Sequence, residues 1–191
     1  MEQNTVLDLF RDAGAFLEGH FLLTSGLHSP HYIEKFRVLE RPLVTARLCK
    51  AFAEHFSSQN PTIVIGPMTG GIILAFETAR NLGTKAIFTE RVDGKMMLRR
   101  GFEIKPEDRV LILEDIVTTG GSLVEVIDVV KNAGAAIIGI GLLVDRSGGK
   151  AQFGIPTYAL VTLDVTTYEP DSCPLCQAGI PLVKPGRTGK S

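Results

Sequence analysis

Val110-Leu-Ile-Leu-Glu-Asp-Ile-Val-Thr-Thr-Gly-Gly-Ser122 is the stretch of this 191-residue chain whose reading decides the fold. Four apolar residues in a row read as the end of a strand buried on both faces. Two adjacent carboxylates, Glu114 and Asp115, stand where that strand should emerge, followed by Ile116 and Val117. Thr118, Thr119, Gly120, Gly121 and Ser122 then lead into a helix whose apolar face is Leu123, Val126, Ile127 and Val130. A helix start offers unpaired N–H groups and the positive end of the helix dipole, and both favour a phosphate. The glycines let the backbone approach an anion, and the hydroxyls add donors. Carboxylates beside such a loop can accept hydrogen bonds from ribose hydroxyls, so the pattern fits a phosphorylated sugar. No lysine follows the glycines, which excludes a Walker-type loop. Gly139-Ile-Gly141 lies in an apolar run and lacks the third glycine of a dinucleotide fingerprint.

On either side of this stretch the pattern is regular. A short amphipathic helix is predicted over 4–15, with Val6, Leu7 and Phe10 on its apolar side, and 16–42 reads as irregular with short extended pieces. Val44, Leu48, Ala51, Phe52 and Phe56 recur at helical spacing, and 62–65 is a short apolar strand. A second helix carries Ile72, Ala75, Phe76 and Ala79 on one face and stops at Gly83. Strands at 85–89 and 110–113, a helix to Gly134, and strands at 136–144 and 158–163 follow. Strands alternating with helices imply an α/β fold, a central parallel sheet with helices on both faces. The tail from Pro181 reads as mobile.

Composition narrows the function. With 45% hydrophobic residues the chain can build one α/β domain and a small appendage. Lys and Arg number 20 against 21 Asp and Glu, so the basic excess of a nucleic-acid binder is missing. Glycine, threonine or charge interrupts every apolar run before it reaches membrane-spanning length. The start, Met1-Glu-Gln-Asn-Thr5, is unlike a secretory signal, and three cysteines, an odd number, argue for a reducing compartment. A cytoplasmic location is the expectation.

Two acids followed by Thr-Thr-Gly-Gly-Ser resemble the ribose-phosphate-binding signature of type I phosphoribosyltransferases. The resemblance implies that family's fold over residues 1–191 as one domain. Its hood would be about 1–42 plus the C-terminal segment, and its core about 43–165. It also implies that Ile116, Val117, Thr118, Thr119, Gly120, Gly121 and Ser122 hold the 5-phosphate of phosphoribosyl pyrophosphate (PRPP). Glu114 and Asp115 would meet the ribose hydroxyls and stabilise an oxocarbenium-like state. A second loop at a strand's carboxyl end, Gly66-Pro-Met-Thr-Gly-Gly71, becomes the pyrophosphate loop, with Thr69, Gly70 and Gly71 as donors. Many orotate-type relatives carry a lysine there; in this chain the position is glycine.

Three further segments resemble the orotate-using branch. Asp145-Arg146 closes a strand, and an arginine there can grip a carboxylate with two parallel hydrogen bonds. By resemblance Arg146 binds the carboxylate of orotate, and Thr118 touches both phosphate and base. Ser25-Gly26 and Ser29-Pro30 match the hood of the same enzymes, which implies that Ser25 and Gly26 lie near the base. Thr24 stands where the family often has lysine. His28 and His31 read as polar loop histidines near the base pocket rather than a metal pair. Residues 90–105 correspond to the flexible catalytic loop that folds over a neighbouring subunit. Arg91 fits its first residue, while Lys95, Arg99 and Arg100 are the candidates for neutralising departing pyrophosphate. Gly94 and its alternating flanks equally suit a solvated β-hairpin.

The implied reaction joins orotate to PRPP, releasing pyrophosphate in pyrimidine synthesis. It runs with Mg²⁺ as cofactor, held without direct protein ligation, in a homodimer. A purine phosphoribosyltransferase and a PRPP-sensing regulator without catalysis are the competing readings. Cys173-Pro-Leu-Cys176 is half of a zinc site, to be completed by a second subunit, or else a pair of packed thiols. Cys49, among helix apolar residues, reads as core.

Overall fold

The computed structural model describes residues 1–23 and 25–185. Thr24 and the tail beyond Pro185, part of the segment read as mobile, lie outside the described residues.

The strand that ends in the acidic pair, β6 (Arg109–Val117), sits near the middle of a six-stranded sheet. Its neighbours are β3 (Ile63–Pro67) on one side and β7 (Ala136–Asp145) on the other, both parallel to it. Beyond β3 lie β4 (Lys85–Val92) and β5 (Lys95–Leu98); beyond β7 lies β8 (Thr157–Thr162). Only the β4–β5 pair is antiparallel. A strand buried on both faces needs apolar side chains at every position, and β6 shows this alternation directly. Leu111 and Leu113 face one core cluster with Val64, Phe52 and Leu143, while Val110 and Ile112 face the other with Ile65, Val126 and Ile140.

Helices cover both faces. α3 (Pro42–Phe56) buries Leu48, Phe52 and Phe56, and α4 (Gly70–Leu82) buries Leu74, Ala75 and Ala79 on the same side. α5 (Gly121–Asn132) buries Leu123, Val126, Ile127 and Val130 on the opposite side, the four residues expected of it. α1 (Gln3–Asp12) packs against β8 and adds Val6 and Phe10 to the same core cluster. One expected core contact is wrong: Phe76 is 65% exposed, because α4 turns Leu74 and Thr78 inward instead. Cys49 is fully buried, and desolvation pushes its thiol up to about 12.

The segment read as irregular is more ordered than its composition suggests. Residues Phe16–Leu22 (β1) and His28–Ile33 (β2) pair as an antiparallel hairpin, followed by a single-turn helix, α2 (Phe36–Leu39). The C-terminal segment closes on this hairpin. Val183 pairs with Phe21, His28 with Tyr168, and a one-turn helix, α6 (Pro174–Gln177), lies between. In a parallel sheet all carboxyl ends share one edge, so the loops after β3, β6 and β7 converge there. Among the described residues no helix is long and apolar enough to cross a membrane.

Candidate active site

At that edge lies a cavity of about 440 Å³. Its floor is the β6–α5 loop, residues Glu114 through Leu123, and its walls bring in Pro67 and Met68 from the β3–α4 loop, Arg91 from β4 and Lys35 from the hood. Gly120 begins α5 with φ +83°, and a Cβ there would stand 2.6 Å from the ring of Phe153. Conformation and space therefore both require glycine. No side chain caps α5, which leaves the first N–H groups of a twelve-residue helix turned toward the cavity mouth, with Thr118, Thr119 and Ser122 exposed around them.

The acidic pair is buried: Glu114 is 7% exposed and Asp115 3%. Each carboxylate accepts a backbone hydrogen bond. The N–H of Asp115 donates to Glu114 Oε1 at 2.9 Å, and that of Ile116 to Asp115 Oδ1 at 2.6 Å. Asp115 Oδ2 takes the Lys35 ammonium at 2.7 Å. Gly70, the first residue of α4, presses on the same oxygen, so a Cβ at that position would lie 1.9 Å from it. The two acids are electrostatically unequal as a result. Desolvation first, and then the charge of Asp115, push Glu114 up to about 8. Burial and the neighbouring carboxylate thus favour the protonated form of Glu114, while the Lys35 ammonium sits directly against Asp115.

This inequality makes a stability prediction. Glu114 starts from 4.5, so its folded form is raised. The stability it contributes is complete below about 4.5 and is lost as pH climbs through about 8, because the native state then has to bury a second anion. Thermal unfolding of the free protein should show Tm falling by several degrees between pH 6 and 9, and Glu114→Gln should flatten that slope. An identical slope in both proteins would contradict it.

Arg91 reaches across the mouth. Its guanidinium lies 2.7 Å from Glu125 of α5, an ion pair in which Glu125 Oε2 lacks an aligned hydrogen bond, and it donates to the Gly94 carbonyl at 2.6 Å. The other three basic candidates stand away from the cavity. Residues 89–98 form a β-hairpin, the alternative that Gly94 suggested, with Lys95 and Arg99 exposed and Arg100 paired to Glu90 at 3.1 Å.

Arg146 lines a second, smaller cavity of about 160 Å³ with Phe16, His31 and Ile33 of the hood. Asp145, its neighbour in sequence, is turned elsewhere. Asp145 accepts from the backbone and hydroxyl of Ser147, both at 2.7 Å, and from Gly149 N at 3.0 Å. Among the described residues the buried Nε of Arg146 has no hydrogen-bond partner, and burial lowers the group's pKa from the usual arginine value. A partly desolvated guanidinium with an unsatisfied N–H beside a cavity is a receptor for an anion. Ser25 and Gly26 sit in the exposed β1–β2 turn and line neither cavity.

Sequence reasoning missed Lys35, Glu125 and Tyr32, the last close enough to Arg146 for the two charges to interact. Of the two histidines read as loop residues near the base pocket, His31 lines the Arg146 cavity, but His28 is buried beside His20, and His20 and His28 both face Cys173 and Cys176.

Comparison with known proteins bears on this geometry. Residues 37–158 match the model of the phosphoribosyl transferase domain. The chain is 51% identical over 186 residues to the orotate phosphoribosyltransferase of Desulforamulus reducens, covering 97% of each. It is 50% identical to that of Chlorobium phaeobacteroides, covering 97% of this chain and 96% of the relative. Among solved structures, orotate phosphoribosyltransferase from Aeropyrum pernix superimposes with a TM-score of 0.70 at 26% identity, over 83% of this chain and 93% of that one.

Proposed function

This chain belongs to the phosphoribosyltransferase family, and on that premise we propose that it transfers the 5-phosphoribosyl group of PRPP to orotate, giving orotidine 5′-phosphate and pyrophosphate. The observation that carries the choice of base is Arg146, a half-buried guanidinium beside a cavity whose buried Nε has no hydrogen-bond partner among the described residues. Orotate brings the carboxylate such a group lacks; a purine base does not.

The PRPP roles follow the large cavity. The N–H groups at the start of α5, with Thr118, Thr119 and Ser122, hold the 5-phosphate. Glu114 and Asp115 accept hydrogen bonds from the ribose hydroxyls and oppose the positive charge that develops at C1 as pyrophosphate leaves. Thr69, Gly70 and Gly71 address the pyrophosphate. Lys35, on the wall of the same cavity, supplies the ammonium that this loop does not carry. When substrate hydroxyls engage Asp115, Lys35 is released to the phosphates. Arg91 makes a parallel exchange, leaving Glu125 for an anion.

Mg²⁺ fits as an ion delivered with PRPP. The carboxylates of the pair already accept backbone N–H groups and Lys35, which makes them hydroxyl acceptors rather than a ligand set. Bound to PRPP, the ion offsets charge on the leaving group. Lys95, Arg99 and Arg100 act from the segment 90–105, the first on the β4–β5 hairpin and the other two just after it, reaching a neighbouring site in a homodimer. Closure over the site excludes water that would hydrolyse the activated sugar. A soluble cytoplasmic enzyme, one domain over 1–191, completes the reading.

Spectrophotometric assay of orotate consumption with PRPP and Mg²⁺ tests it. The expected result is Mg²⁺-dependent turnover with pyrophosphate released in equal amount. Turnover with adenine or hypoxanthine instead would favour a purine enzyme. PRPP binding without turnover of any base would favour a sensor.

A further inference from the structure

Outside the PRPP cavity, four side chains from three parts of the chain aim their ligand atoms at one point. His20 comes from β1, His28 from β2, and Cys173 and Cys176 from the C-terminal segment, with all four ligand atoms within 4.8 Å of one another. His20 Nε2 lies 2.9 Å from His28 Nδ1, 3.5 Å from Cys173 Sγ and 3.7 Å from Cys176 Sγ, and Cys176 Sγ lies 3.3 Å from His28 Nδ1. We infer that His20, His28, Cys173 and Cys176 form a mononuclear, structural zinc site that fastens the C-terminal segment to the hood hairpin.

Geometry argues first. Zinc bonds of about 2.3 Å to sulfur and 2.0–2.1 Å to nitrogen, at tetrahedral angles, place ligand atoms roughly 3.3–3.8 Å apart. The distances within the cluster bracket that range, and a set of two thiolates and two imidazoles is one that selects zinc. Charge argues second. His20, His28 and Cys173 are 2%, 5% and 1% exposed, so a net charge here would be costly. Two thiolates balance Zn²⁺, and two neutral imidazoles add nothing, which leaves the buried centre neutral.

The surrounding hydrogen bonds fit ligation. His20 Nδ1 lies 2.8 Å from the Ile180 carbonyl, which can only accept. The proton is therefore on Nδ1, and Nε2 turns a lone pair to the centre, the arrangement that orients a metal-bound imidazole. Both histidines are also anchored to the C-terminal segment through their backbones. The N–H of Val183 donates to the His20 carbonyl at 2.8 Å, and His28 exchanges two bonds with Tyr168, each 2.9 Å. All four ligands belong to one chain, so no second subunit is required. With four protein ligands no position is open for substrate, and the ion's work is to hold structure. The inference stands whatever base the large cavity serves.

The test is metal content and ligation of the untagged full chain grown in zinc-supplemented medium. The expected result is one zinc per chain surviving gel filtration. A thiol-directed mercurial should release it, and Co²⁺ refilling should give the strong visible bands of a tetrahedral ion with a cobalt–thiolate charge-transfer band. Cys176→Ser, at the exposed ligand, should lose the stoichiometric ion. Stripping zinc from the wild-type chain should lower Tm by on the order of 10 °C and open 164–185 to protease, both reversed by Zn²⁺ alone. Three results would overturn the assignment: no zinc and no cobalt–thiolate band in folded wild-type protein, equal zinc in wild type and a Cys173→Ser/Cys176→Ser double variant, or a Cys173–Cys176 disulfide in freshly purified protein.

Discussion

Arg146→Ala is expected to lower kcat/KM for orotate about 10³-fold while leaving PRPP affinity within a few-fold of wild type. A bidentate arginine–carboxylate contact in a desolvated site is worth roughly 3–5 kcal/mol, because each charge-assisted hydrogen bond contributes about 1.5–3 kcal/mol. Arg146 has the features that place it at the upper end. Its Nε is buried and has no hydrogen-bond partner among the described residues, and the adjacent Asp145 is already occupied by Ser147 and Gly149. Arg146→Lys should recover little, since an ammonium offers no planar fork. Steady-state kinetics with orotate varied at saturating PRPP, together with calorimetric PRPP titration, separates the two effects. Undiminished orotate turnover in Arg146→Ala would remove the basis for choosing orotate over an uncharged base.

Different parts of the molecule were legible in the sequence for different physical reasons. Val110–Ser122 announces itself because one short segment carries all its information: an apolar run for the strand, acids at its end, glycines and hydroxyls at the helix start. The structure puts the strand at Arg109–Val117 and the helix at Gly121–Asn132. Arg146 could be read the same way, from its place after an apolar strand. Lys35 could not. It lies in a polar segment without periodicity, and its partner Asp115 is 80 positions away, joined to it only by the packing of the hood over the sheet edge. His20 and His28 have the same difficulty. The hairpin that pairs their strands has weak β patterning, and the cysteines that face them arrive only when the C-terminal segment folds back. Phe76 failed for another reason. Helical periodicity identifies an apolar face but not its partner, and α4 turns a neighbouring face to the sheet, leaving Phe76 exposed on the surface.

Gly70→Ala should be a severely damaging small substitution, and the reason is contact rather than backbone conformation. The added methyl would stand 1.9 Å from Asp115 Oδ2 and 2.8 Å from its Cγ. No rotamer relieves this cheaply, because Asp115 is 3% exposed, accepts the Ile116 N–H on one oxygen and binds Lys35 on the other. Either the carboxylate swings off Lys35 or the first turn of α4 backs away from β6, and both displace groups assigned to ribose and pyrophosphate. A misplacement of about 1 Å at a reacting centre costs on the order of 10²-fold in rate, and overpacking costs about 1–3 kcal/mol in stability. Kinetics should therefore show kcat/KM down at least about 10²-fold, with a Tm lowered by several degrees. Removing the clashing carboxylate distinguishes the cause. In a Gly70→Ala/Asp115→Ala double variant the clash with the carboxylate is gone and only a close approach of 3.1 Å to the Cβ at position 115 remains, so Tm should rise above that of Gly70→Ala alone while activity stays lost, a non-additivity that two independent lesions would not produce. Near-wild-type turnover in Gly70→Ala would mean that Asp115 can leave its contact with Lys35 without consequence, and the role assigned to it on the ribose would fall with that result.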